Sequence, residues 1–89
     1  MEVSDVLEQR GSRYGSFESN AATCQSIKRI MEAGITYNNL SDCQREALDM
    51  VAHKIARIVN GDTLYRDSFR DAMHYFELAL NSMEKDGHG

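Results

Sequence analysis

The chain has 89 residues, 42% of them hydrophobic, with no proline and a formal net charge of −4. Such a length makes one domain that buries only about 60–65% of its unfolded surface, so its core is marginal and self-association is expected. The mild acidity offers a phosphate backbone no long-range attraction, and no apolar run approaches the roughly 18 residues that cross a bilayer, so neither nucleic acid nor membrane is expected as a partner.

The opening MEVSDVLEQR lacks a charged n-region followed by an apolar one, so no signal peptide is expected and the chain is read as cytoplasmic. Val3, Val6 and Leu7 give residues 1–10 a small apolar side, which predicts a short N-terminal helix that must dock to stay ordered. In the glycine-rich loop over 11–16, Gly11 and Gly15 break any helix and Ser16 is the expected N-cap of the next one. Two glycines, Arg10, Arg13 and a following helix N-terminus suit an anion, although an ordinary turn explains the same residues.

Helical spacing of Phe17, Ala21, Cys24, Ile27 and Met31 predicts a helix over 17–33 that stops at Gly34. Asn20 shares the face of Phe17 and Cys24, so it is expected either to connect helices or to belong to a site. In the following GITYNNL, Ile35, Tyr37 and Leu40 are expected to fold back over the end of the bundle.

The stretch 42–60 is the predicted central helix. Ser41 with Gln44 fits a capping box, and Gly61 is expected to end the helix with a positive φ. Leu48, Val51, Ala52, Ile55, Ile58 and Val59, widened by Ala47, Met50 and Ala56, make an apolar arc that asks for neighbours on more than one side. A last helix over 67–84 follows from Phe69, Ala72, Met73, Phe76, Ala79, Leu80 and Met83, with Asp62 and Asp67 both open as its cap and a polar tail over 85–89. The expected fold is all-α, a small single-domain helical bundle of three main helices plus the short N-terminal one. Cys24 and Cys43 have no CxxC and no His at ligand spacing, so they are read as core or near-surface residues rather than zinc ligands.

Lys54 and Arg57 lie one turn apart on the central helix, and Asp67 and Asp71 one turn apart on the last. An antiparallel pairing of these helices would bring the bases to the acids, either as a salt-bridge network or as a site in which carboxylates hold a metal and bases hold phosphate. Glu46, Asp49 and His53 add an acidic stripe, which completes a four-carboxylate magnesium site only if it faces Asp67 and Asp71. No Ser/His/Asp or Cys/His arrangement is legible.

The segments YGSFESN, HKIARIVNG and RDSFRDAMHYFELAL resemble a family of small all-helical proteins of unknown function encoded mainly by bacteriophages and prophages. The resemblance spans about residues 10–83 and rests on Tyr14, Gly15, Phe17 and Asn20, on Lys54 and Arg57, and on Arg66, Asp67, Asp71 and Tyr75. It implies a small accessory protein that acts by binding protein, against a host enzyme or defence complex, with no cofactor. More distantly the last two helices look like the all-α nucleoside-triphosphate pyrophosphohydrolases of the MazG-like group. That likeness implies dimers or tetramers and magnesium held by Asp67, Asp71 and Glu46 or Asp49, with Lys54, Arg57 and Arg13 on phosphate oxygens. The chain has no EExxE, and Glu46 and Asp49 match that motif only in part.

Overall fold

The computed structural model describes residues 14–85, and the described part is three α-helices with one 3-10 turn and no strand. They are α1 (Phe17–Glu32), the 3-10 turn (Tyr37–Asn39), α2 (Asp42–Asn60) and α3 (Arg66–Lys85). The predicted helix over 1–10, the start of the glycine loop with Arg13, and the tail from residue 86 lie outside the described residues.

The helix starts follow the local chemistry. Ser16 caps α1, its hydroxyl accepting the Ser19 amide at 3.1 Å. At α2 the capping box is complete, since the Ser41 hydroxyl accepts the Gln44 amide at 3.1 Å and the Gln44 side chain accepts the Ser41 amide at 2.9 Å. Neither candidate cap serves α3. Asp62 instead accepts the Leu64 amide at 2.9 Å and closes a turn in the connector, while Asp67 lies inside the first helical turn, where its charge suits the helix dipole.

The helices stop where the glycines predict, but the geometry of the stops differs from expectation. Gly61 has φ −129°, and α1 stops at Ala33 in right-handed geometry, so neither end uses a left-handed glycine. Among the described residues the positive φ belongs to Gly15, at +81°. A Cβ there would stand 2.6 Å from the Asn60 carbonyl oxygen, so the loop before α1 needs glycine for its backbone angle and for its close approach to the end of α2.

The central helix packs against α1 on one flank and α3 on the other, while α1 and α3 make no extensive contact with each other. The arrangement is a layer three helices wide. Its core is small: Cys24, Ala47, Val51, Ala52 and Ala56 are buried, with Ser68. Ala52 and Ala56, one turn apart, meet Cys24, and Ile27 and Met31 close around them. Small side chains here let two helices approach closely. Cys43 is exposed, as a near-surface cysteine would be.

Around α1, two residues expected to pack inward stay outside. Phe17 is 86% exposed and so leaves the α1 stripe, and Ile35 is fully exposed, so the loop does not fold back through it. Tyr37 and Leu40 are half-buried, with Arg45 lying over the Tyr37 ring at 4.9 Å.

Candidate functional site

Several of the sequence candidates converge at the end of the layer where α2 stops and α3 begins. The Asn20 side-chain amide donates to the Tyr14 carbonyl at 2.7 Å, fixing the segment before α1. Asn60, in the last turn of α2, spreads its amide hydrogens over Thr23 Oγ1 at 2.9 Å, the Ser19 carbonyl at 3.3 Å and Asn20 Oδ1 at 3.4 Å. Asn20 is thus a connector between helices. The Tyr14 ring meets the Tyr65 ring edge-on at 5.5 Å, its hydroxyl donates to that of Tyr65 at 3.5 Å, and Tyr65 donates to Asp67 at 3.1 Å. Those two hydrogen bonds, with Tyr14 as the larger influence, push the Tyr65 phenol up to about 12.

The basic and acidic pairs meet in part. Lys54 donates to Asp71 at 2.8 Å, with the lysine side chain 12% exposed and the aspartate 52% exposed. The hydrogen bond and charge of Lys54 hold the Asp71 carboxyl below the usual carboxylate range. Asp71 is too open for this to be a buried ion pair. Among the described residues Arg57 makes no such bridge; its guanidinium lies over the Tyr14 ring at 5.5 Å. Asp67 is taken by Tyr65 and by Arg70 at 3.3 Å.

The remaining carboxylates point elsewhere. His53 comes within 3.5 Å of Lys28 on α1, and Asp49 and Glu46 are the carboxylates whose charge reaches it. Partial burial, followed by Lys28 and Arg57, lowers the His53 pKa below its ordinary value. Asp49 and His53 therefore look toward α1, on the other flank of α2 from Asp67 and Asp71. Among the described residues no group of three or more His, Cys, Asp or Glu side chains is placed to hold a metal ion. Tyr75 stands apart from Tyr14 and Arg57, in an open groove between the start of α2 and the end of α3 that Glu46, Asp42 and Leu78 also line.

On the opposite surface of the layer the side chains are apolar. By the 100° turn per residue, Ile55 and Val59 of α2 and Phe69, Met73, Phe76 and Leu80 of α3 lie away from Lys54 and Asp71. All six are exposed, Met73 by 70% and Phe76 by 50%. The small α3 residues Ser68, Ala72, Ala79 and Ser82 turn to α2, leaving the large ones facing outward. Periodicity reveals an apolar face and not what covers it, so these large residues, expected in the core, stand outside it.

Asn60 and Tyr65 are the members of the polar end that sequence reasoning missed. Both sit beside the glycine stop in VNGDTLYR, which reads locally as a turn. No family model, curated protein or solved structure matches the chain.

Proposed function

We propose that this chain is a small accessory protein of the phage-encoded type that works by binding protein, and that its binding surface is the apolar face of α2 and α3. The observation that carries this reading is the row of Phe69, Met73, Phe76 and Leu80, each half-exposed or more along one helix. Monomers rarely leave a continuous large apolar patch in water, and such patches mark interaction sites. The tyrosine and asparagine cluster at the end of the layer then serves to lock the loop before α1 onto α2 and α3. A photoreactive residue at position 73 or 80 should cross-link in cells to protein, while one at 54 or 71 on the opposite surface should not. Absence of adducts from both apolar positions removes the reading.

A second reading is favoured by Arg57, which among the described residues pairs with a ring and no carboxylate, one turn from Lys54. It has these two bases bind the phosphates of a nucleotide, with magnesium recruited alongside them. Calorimetric titration of a nucleoside triphosphate with magnesium into wild type and Arg57→Ala tests it. A response that disappears in the variant supports it, and no response in wild type removes it.

A further inference from the structure

The apolar row on α3 has a spacing of its own. Phe69, Met73, Phe76, Leu80 and Met83 follow one another at four, three, four and three residues, which is the heptad spacing of a helix that packs along another helix. Within its own chain α3 already uses a different seam, of Ser68, Ala72, Ala79 and Ser82, against α2. The large-residue seam is therefore a second contact line with no occupant among the described residues.

The flank of that seam turned away from α2 is charged, and its charge changes sign along the helix. Arg66 and Arg70 lie toward the start, and Glu77 and Glu84 toward the end. Arg70 touches Asp67 at 3.3 Å, but both side chains are more than half exposed, so that local pair is weak and leaves Arg70 able to reach outward. A helix with this pattern is complementary to itself in one direction only. Antiparallel copies put base against acid on both sides of the symmetry axis. Parallel copies would instead turn this flank toward the partner's α2 and leave the bases and acids of the two α3 helices apart.

Resting on the binding-face reading above, we infer that the occupant of the α3 seam is a second copy of this chain, docked antiparallel so that Arg70 meets the partner's Glu77. The two-fold axis passes the seam between Met73 and Phe76. Since Lys54 stands level with Asp71, the same axis crosses α2 between Leu48 and Ile55, so the apolar surface of α2 is covered in the same contact. Two helices of 19 and 20 residues, side by side, offer roughly 600 Å² of planar face from their rise and width, close to the about 800 Å² per partner of a stable interface.

The test is sedimentation equilibrium of wild type, Arg70→Glu, Glu77→Arg and an equimolar mixture of the two variants, each confirmed helical by circular dichroism. Wild type should sediment as a dimer. Each single variant should raise the dissociation constant about tenfold, because two symmetry-related pairs change from attraction to repulsion. The mixture should recover wild-type affinity as a heterodimer, since every pair across the antiparallel seam is again base against acid. A wild type of monomer mass at all concentrations overturns the inference, and so does a dimer that neither variant weakens or the mixture fails to restore. Monomeric wild type together with cross-links from positions 73 and 80 to a different protein would overturn self-pairing alone and leave the binding-face reading standing.

Discussion

Replacing Gly15 with alanine should destabilise the domain far more than a loop substitution ordinarily does. The new Cβ would lie 2.6 Å from the carbonyl oxygen, 2.8 Å from Cβ and 2.9 Å from the carbonyl carbon of Asn60, and two of these three atoms are backbone. Neither partner yields easily, because Asn60 is held by Thr23 and the Ser19 carbonyl while Tyr14 is held by Asn20. The left-handed φ costs an alanine about 1–2 kcal/mol, and the forced shift of packed neighbours typically adds about 1–3 kcal/mol. A total of about 2–5 kcal/mol should lower the thermal midpoint by roughly 8–40 °C in a domain of this size. Urea unfolding followed by circular dichroism measures it directly. Gly34→Ala is the matched comparison: its φ is not left-handed and its new Cβ meets only the Met31 carbonyl oxygen at 3.1 Å, so a change within about 1 kcal/mol is expected. Equal stability of Gly15→Ala and wild type would refute the close approach of this loop to the end of α2.

Other outcomes follow from the polar residues. In an alkaline absorbance titration one of the four tyrosines should ionise near 12, and Tyr65→Phe should remove that late step. Because the Tyr65 pKa is raised in the folded state, its contribution to stability is complete below the ordinary phenol value of about 10 and is lost as pH rises toward 12. His53 and Asp71 act in the opposite sense, since both pKa values are lowered on folding. Denaturation across a pH series should show stability falling as pH drops below the ordinary histidine value of 6.5, with a second fall below the ordinary carboxylate value of 3.8. His53→Gln should remove the first fall and Asp71→Asn the second. Ala56→Leu, placed in the buried contact with Cys24 between α1 and α2, should cost about 1–3 kcal/mol by overpacking.

What was legible in the sequence is what depends on neighbours along the chain. Ser41 with Gln44 and Ser16 with Ser19 are local pairs, so two helix starts could be read directly, and 3.6-residue periodicity set the three main helices. Gly61 and Gly34 marked the two helix stops, but not their geometry, because glycine permits a left-handed cap without requiring one. The candidate site was half legible. Lys54 and Asp71 met because a short connector forces α2 and α3 antiparallel, whereas the destination of Arg57 depended on Tyr14, an aromatic ring more than forty residues earlier. Asp49 and Asp71 were separated because α2 turns Lys54 toward α3, which leaves Asp49, five residues earlier and about 140° round the helix, on the other flank. The same limit applies to Phe69, Met73 and Phe76, whose periodicity reads alike whether the covering helix belongs to this chain or to another.

The central claim is that these α3 side chains form a surface for binding and are not the core of the fold. Equilibrium urea unfolding of Met73→Ser/Phe76→Ser in dilute solution tests it most directly. With Met73 70% and Phe76 50% exposed, the two substitutions remove little buried area and should lower stability by about 2 kcal/mol or less, with a cooperative transition and an unchanged helical signal. A loss of about 5–10 kcal/mol, the sum expected for truncating a buried methionine and a buried phenylalanine, or a variant that no longer folds, would contradict the account.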